Sequence, residues 1–492
     1  MKIVIIGAGI GSLATANLLA RDGHEVHIFE KNSWLGGRAS TRKQDGFTFD
    51  TGPSWYLMPE VFRRYYELLG VSVDDELTLT RLSPAYKVFF EHDAPITITT
   101  NADQDCATFE AIEPGAGTQL KKYVEKSNKI YRLSIAHFLY SNFSSVFDIF
   151  NIQLLKQAPA MLRLALTPLH RYVSRFVKHR RLQQILEYPM VFLGTSPFKA
   201  PALYSLMSAL DFKEGVFYPD GGIYRVINSL VAIGKRSGVH YHLNSPVAHI
   251  NTSGHKTSGV TLATGKIISA DIVISNADLH FTETELIDSP HRSYPESYWH
   301  HKEASPSALL LYIGVKGKLP QFTHHNLLFV DDWRENFSAI YHNKQPPAKA
   351  SMYICKPSET DPDVAPEGYE NIFVLIPLPA GNTIKDSELP KLKYQYLTQI
   401  KNMTGVDLAE HVVTESLYSP HDFSRDFHAW QSSMLGVSHR LTQSAFFRTK
   451  NKSKKIDNLY YVGANTLPGI GLPMCLISAE LVYERITKEQ PS

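Results

Sequence analysis

The sequence predicts an α/β protein, and three observations predict it. A strand–helix–strand unit of about 30 residues, the size of a parallel crossover unit, opens the chain. A block rich in strand and turn signals runs over residues 239–278, and a strand, a glycine-rich loop and a helix close the chain. Signals of this kind at the start, middle and end point to one nucleotide-binding domain assembled from discontinuous segments. We expect that domain in residues 1–70, 220–290 and 450–492, a mixed-sheet substrate domain in 71–129 and 291–449, and a helical subdomain in 130–219. At roughly 150 residues per domain, 492 residues suffice for three such units.

Each element follows from its residues. Ile3 to Ile6 are apolar without interruption, as in a strand buried on both faces. Leu13 to Ala20 carry apolar residues at helical spacing, Gly23 supplies a stop, and Glu25 to Phe29 read as a second strand. In the middle block, alternating positions such as Val247, His249, Val260 and Leu262 predict a small antiparallel sheet, and Asp271 to Ser275 a further buried strand. Asn458 to Val462 read as a strand, and a helix is expected from about Met474 to Thr487. From Ile149 to Leu186 there is no acidic residue, but Lys156, Arg163, Arg171, Arg175, Lys178, Arg180 and Arg181 are present, and Pro159 and Pro168 are expected to divide the stretch into short helices.

Composition excludes several function classes. With 43% hydrophobic and 20% charged residues the chain is globular rather than disordered. A net charge of +2 (50 − 48) argues against a nucleic-acid partner bound by bulk charge. Cys106, Cys355 and Cys475 are far apart, form neither a zinc pattern nor a disulfide framework, and suit a reducing cytosol. No apolar run reaches the roughly 18 residues of a spanning helix, and Met1 to Ile6 are too short for a signal-peptide core. The pairs His300–His301 and His324–His325 lack the i, i+4 spacing of a helical zinc site, so no metal is expected. No Gly-x-Ser-x-Gly elbow is present, and Cys475 reads as a packed helix residue.

One motif carries chemistry without ambiguity of place. Gly7-Ala8-Gly9-Ile10-Gly11-Ser12 lies between a strand and a helix, where a dinucleotide fingerprint must lie. Gly7 permits the turn, Gly9 lets backbone approach a pyrophosphate, and Ser12 fills the position that needs a small residue. Helix-start amides and the helix dipole hold the phosphates. Glu30 ends the second strand where a carboxylate binds ribose hydroxyls, with Lys31 beside it. Gly36-Gly37-Arg38 then allow close approach and add a cation for a phosphate or a flavin edge. In the run GFTFDTGPSWY, Gly52 and Pro53 are turn residues, and Phe47, Phe49, Trp55 and Tyr56 are expected to wall an apolar pocket.

These motifs, with GVFYPDGG, ISNAD and VGANTLPGIGLP further on, resemble in order those of the bacterial-type carotenoid (phytoene) desaturases, within the wider amine oxidase and protoporphyrinogen oxidase group of FAD proteins. The resemblance spans Ile3 to about Tyr483. It implies a Rossmann-type FAD-binding domain. By position, Gly7, Gly9, Gly11, Glu30, Gly37 and Arg38 would hold the ADP and pyrophosphate, Val247 would meet adenine through its backbone, and Asn276 would border the cofactor. Gly52, Pro53 and Ser54 would approach the isoalloxazine, and Gly463, Ala464, Gly471, Leu472 and Pro473 would close over the ribityl chain and flavin. Leu467 stands where many such enzymes carry histidine, which weakens a precise substrate assignment.

The implied activity is FAD-dependent desaturation of a long isoprenoid hydrocarbon, phytoene toward lycopene-type carotenoids, with a quinone or dioxygen reoxidising the flavin. An apolar tunnel can manage this without a strong base, so no catalytic acid or base is assigned; Asp211 and Glu214 are the carboxylates to test first, as cation stabilisers. The basic apolar segment 149–186 would rest on an anionic bilayer and take up a membrane-dissolved carotenoid, which places the protein in the cytoplasm, peripheral to the inner face of the cell membrane. Other carotenoid desaturases, an isomerase-type flavoprotein, an amine oxidase and a non-catalytic prenyl-lipid binding protein remain open alternatives.

Overall fold

Continuous β-branched runs fold as strands covered on both faces, and Lys2–Ile6 is the centre of such a sheet in the computed structural model, which describes residues 1–142, 152–381 and 384–489. Five parallel strands lie in the order Leu459–Tyr461, Ile272–Ser275, Lys2–Ile6, Glu25–Phe29, His240–His242. Ile3 faces Ile272 on one side and Val26 on the other. Ile3 and Ile5 enter one core cluster and Val4 and Ile6 another, as the pleat dictates. The sheet thus gathers strands from the start, middle and end of the chain.

The first helix, Ile10–Arg21, begins at Gly9 and is buried along its whole length to Ala20. It is sandwiched by the closing helix Leu472–Glu489 and by Tyr224–Arg236. Leu13, Leu18 and Leu19 are fully buried, and each contributes about 1.5–3 kcal/mol of apolar burial. Asn17 Nδ2 donates to the Leu230 carbonyl at 2.9 Å and the Tyr65 hydroxyl to the Ala14 carbonyl at 2.8 Å. These bonds fix the helix N-terminus at the carboxyl edge of the sheet, where open α/β sheets bind ligands.

Val247–Ser253, Lys256–Leu262 and Ile267–Ser269 form the expected antiparallel sheet. A third sheet has seven strands, in the order Val412–Tyr418, Ser307–Lys316, Tyr369–Leu378, Met352–Cys355, His325–Phe329, Tyr86–Phe90, Ile96–Ile98. It is mixed: His325–Phe329 runs parallel to Tyr86–Phe90, while the other pairings are antiparallel. Its two faces do different work. Leu309, Leu311, Ile313 and Val315 pack with Tyr396, Leu397 and Ile400 of the helix Leu389–Thr404. Leu310 and Tyr312, with Leu327, Phe329 and Leu375, turn the other way and floor a large cavity.

Helical segments roof that cavity. Ala116–Ser134, Ile152–Leu166, Leu169–Val173 and Arg180–Glu187 follow one another, then short helical turns from Ala202 to Glu214. Pro168 does end a helix, but Pro159 lies inside Ile152–Leu166 rather than dividing it. Pro159 is exposed, and in such a place a proline costs the helix one hydrogen bond and a kink, not its continuity. Residues 149–151 of the basic apolar segment lie outside the described residues. Among the described residues no helix is long and apolar enough to cross a membrane.

Candidate functional site: a cavity with a polar and an apolar end

One cavity of about 1120 Å³ runs from the carboxyl edge of the parallel sheet to the helical roof. Pockets for drug-sized ligands measure roughly 300–1,000 Å³, so this space is larger than one such pocket.

The polar end is mostly backbone. Gly7, Ala8, Gly9 and Gly11 form its wall, and the Gly36–Gly37 turn lies alongside, with the Gly36 amide donating to the Ala8 carbonyl at 2.8 Å. The space is held open by missing side chains. A Cβ on Gly9 would lie 2.4 Å from Asn276 Oδ1, and one on Gly36, whose φ is +103°, 2.3 Å from the Ala39 carbonyl oxygen. Asn276 donates to the Val462 carbonyl at 2.8 Å, which ties two neighbouring strand ends together beside the glycines.

Glu30 is 6% exposed, and its two oxygens accept from the Ala8 amide at 2.7 Å and the Asn32 amide at 2.8 Å. Burial raises its pKa against those hydrogen bonds. A carboxylate has about four acceptor directions, so two remain for a ribose. Arg38 is sealed in the wall, and burial lowers its pKa while the buried Asp278 opposes that. Its Nε has no protein partner, and its long 3.4 Å contact from Nη2 to the Ser433 carbonyl leaves much of the fork free. A buried guanidinium with unused donors calls for an anion, and a diphosphate matches that fork. These residues fit FAD. The closing helix points its N-terminus, from Leu472, into the same cavity, so that its dipole favours negative charge there.

The apolar end comes from scattered segments. Trp55, Leu139, Met161, Phe192, Leu206 and Leu210 line it. The carboxylates lining the cavity among the described residues are Glu30, Asp278 and Asp426; Glu30 and Asp278 belong to the polar end, and Asp426 binds the Tyr418 hydroxyl at 2.9 Å.

Residues 13–487 match the flavin containing amine oxidoreductases. Two relatives are similar along their whole length: a carotenoid 3,4-desaturase of Haloarcula japonica, 39% identical over 99% of this chain and 98% of that protein, and a zeta-carotene-forming phytoene desaturase of Myxococcus xanthus, 33% identical over 99% and 93%. The chain belongs to the flavin-containing amine oxidoreductases. Its cofactor is FAD, and it is an oxidoreductase of the branch that holds the carotenoid desaturases. A putrescine oxidase structure with bound putrescine shares the fold across 99% of this chain, with a TM-score of 0.66 at 12% identity.

In this flavoprotein the structure brings most of the expected cofactor residues to one wall. Gly7, Ala8, Gly9, Gly11, Glu30, Lys31, Gly36, Gly37, Arg38, Gly52, Pro53, Ser54, Val247, Asn276, Ala464, Gly471, Leu472 and Pro473 all line the cavity. Ser12 and Gly463 do not. Ser12 is fully buried inside the first helix layer, and Gly463 packs on Asn276, where a Cβ would lie 2.3 Å from Nδ2. Lys31 donates to the Arg425 carbonyl rather than standing free.

Other expectations need correction. Of the four aromatics expected to wall the pocket only Trp55 does; Phe47, Phe49 and Tyr56 are core, Tyr56 stacking on Phe62 at 4.2 Å. Asp211 and Glu214 do not reach the cavity. Asp211 is buried behind the wall, accepts from the Tyr188 hydroxyl at 2.6 Å, and burial raises its pKa to about 7. Arg180 and Arg181, counted with the basic segment, are paired at the surface with Asp93, and Arg180 also with Asp331. The adjacent His324 and His325, separated on helical grounds from any metal role, meet Cys355 on neighbouring strands, with potential ligand atoms within 4.8 Å of one another. Their Nδ1 atoms are taken by Thr360 and Tyr353 at 2.7 Å each, and burial lowers the pKa of His324 to about 3.

Proposed function

We propose that the chain desaturates a carotenoid-type polyene. The observation that carries this is the junction of an FAD wall with an apolar end that, among the described residues, offers a substrate no carboxylate. A cationic amine is held most strongly where a carboxylate meets it at the reacting end. A hydrocarbon needs only shape and the exclusion of water. When bound, FAD supplies the acceptor for a hydride. The chain's own part is to hold a long chain against that wall, in the apolar space between the Leu310, Leu327, Phe329 and Leu375 floor and the helical roof. Phytoene, carried toward lycopene-type products, is the substrate to test first. A second reading, dehydrogenation near the end of an already conjugated polyene, is favoured by the 39% identity to the 3,4-desaturase.

The membrane belongs to the same reading. Leu162 is 60% exposed, Phe446 42% and Phe447 58%, and all three also line the cavity, which places them at its mouth. Arg163, Arg171, Arg175 and Lys178 are exposed on the same helical segment. Apolar side chains at a mouth with cations beside them suit the peripheral face of an anionic bilayer, from which the substrate, and a quinone as electron acceptor with dioxygen as the alternative, would reach the site.

Expression in bacterial hosts that accumulate either phytoene or lycopene tests this. A new, longer-wavelength visible band in one host supports desaturation and tells which reading holds. Unchanged pigments in both, with FAD-loaded protein present, would overturn it.

A further inference from the structure

Desaturation removes a proton as well as a hydride, and the cavity wall holds one imidazole placed to take it. The histidines lining the cavity among the described residues are His428 and His439. His428 lies near Lys31 and stacks on Phe281 at 3.9 Å. His439 sits instead where the two ends meet. Its backbone amide donates to the carbonyl of Leu193, which lines the apolar end; its ring meets Tyr204 edge-on at 5.9 Å; and its Nε2 lies against the loop that precedes the closing helix, so that a Cβ on Gly469 would lie 2.4 Å from it. Leu467 leaves that loop without an imidazole of its own, and His439 brings one to it from another segment.

The orientation matters. Nδ1 is sealed and has no hydrogen bond of normal length, while the ring as a whole lines the cavity, so the Nε2 edge is the one turned inward. The Leu193 carbonyl favours a proton on the ring. Carried on Nδ1, that proton leaves the Nε2 lone pair facing the substrate space. Burial first, then the nearby Arg448, lower the pKa of the imidazole, so it rests neutral. Arg448 is itself held away, its Nε donating to the Thr466 carbonyl at 2.9 Å. The remaining ionisable residue against the ring is Tyr204, which meets it edge-on and whose hydroxyl burial keeps protonated.

We propose that His439 Nε2 is the proton acceptor of the dehydrogenation. The inference rests on the desaturase reading above. From two adjacent CH₂ groups, one C–H bond breaks with its electron pair, which leaves as hydride to FAD. The neighbouring C–H bond breaks and leaves its pair between the carbons as the new double bond. The proton goes to Nε2. A carbon next to a delocalised cation is a strong acid, so a weak, neutral base suffices. The imidazolium, destabilised by burial and by Arg448, then returns its proton to water before the next turnover.

The test uses the holoenzyme with phytoene, or lycopene if that is the working substrate, in phosphatidylcholine vesicles. His439→Gln and His439→Ala should keep FAD and thermal stability and leave KM within about threefold, while single-turnover flavin reduction falls by about 100-fold. Added imidazole should restore part of the rate to His439→Ala but none to His439→Gln. Rates within threefold of wild type would overturn the proposal and leave desaturation standing. Loss of FAD or of melting temperature in both variants, or a rise in KM at unchanged kcat without imidazole rescue, would make His439 structural or substrate-positioning and overturn it too. A wild-type protein that desaturates no polyene would sink both readings together.

Discussion

At the polar end of the cavity the wall is main chain, and at the apolar end it is side chain. Gly9 and Gly36 make room by lacking atoms, Glu30 is fixed by burial and by two amides, and Arg38 is fixed by burial. Across the cavity, Leu139, Met161, Phe192 and Leu206 come from different segments and merely fill space. The first kind of wall accepts almost no change, because one Cβ collides with a neighbour. The second accepts changes that preserve volume and should respond to others by altering which chain fits, and how far it enters.

The largest expected effect lies at the polar end. Gly9→Val would drive a branched side chain into Asn276, and FAD should be lost from the purified protein; a variant that still binds FAD stoichiometrically would show that the wall is softer than its geometry. Arg38→Met should weaken FAD by roughly 10- to 100-fold, in line with about 1.5–3 kcal/mol for a charge-assisted contact. The same change should leave the FAD-free protein equally or more heat-stable, because it removes a buried cation with unused donors. Isothermal titration and melting curves measure both.

At the apolar end, Leu206→Trp should leave FAD content unchanged and shift products toward fewer new double bonds, read from pigment spectra. Equal product patterns would separate Leu206 from the substrate path. If the exposed Phe446 and Phe447 rings bury apolar surface in a bilayer interface as proposed, Phe446→Ser with Phe447→Ser should reduce sedimentation with anionic vesicles by about tenfold at unchanged FAD content.

The smallest effect concerns the buried support behind the wall. Asp211 has its pKa raised by burial from its ordinary 3.8 to about 7. A raised carboxyl contributes stability that is fully present below the unfolded value and lost as pH rises through about 7. Melting temperature should therefore fall by a few degrees as pH rises from about 4 to about 7 and level off above that, and Asp211→Asn should flatten that fall. A slope unchanged by the substitution would assign it to other groups, among them Asp50 and Glu480, which burial also raises to about 7.

The same contrast explains what could be read from sequence. Glycine fingerprints, Glu30 and Arg38 are legible because backbone approach restricts the residue type at each position, and the parallel strands because both faces must be apolar. Val247 and Asn276 are found by resemblance, and each reaches the cavity. The apolar end has no such grammar. Trp55 lines it while Phe47 and Phe49, a few residues earlier, are core, and the difference is decided by strand pairing with Thr41–Gln44. His439 carries no motif either: only the fold brings it to Gly469, 30 residues on. Asp211 looks exposed in DFKEG, yet a helical turn carries it inward to Tyr188.

The proposed desaturation requires one cavity to bring FAD and a long hydrocarbon together. Anaerobic mixing of the FAD-loaded protein with a polyene in vesicles tests it most directly. The expected result is bleaching of the oxidised flavin's visible band with one new double bond formed per flavin reduced. A flavin that stays oxidised with phytoene and with lycopene, but is bleached by a diamine such as putrescine, would make the protein an amine oxidase instead.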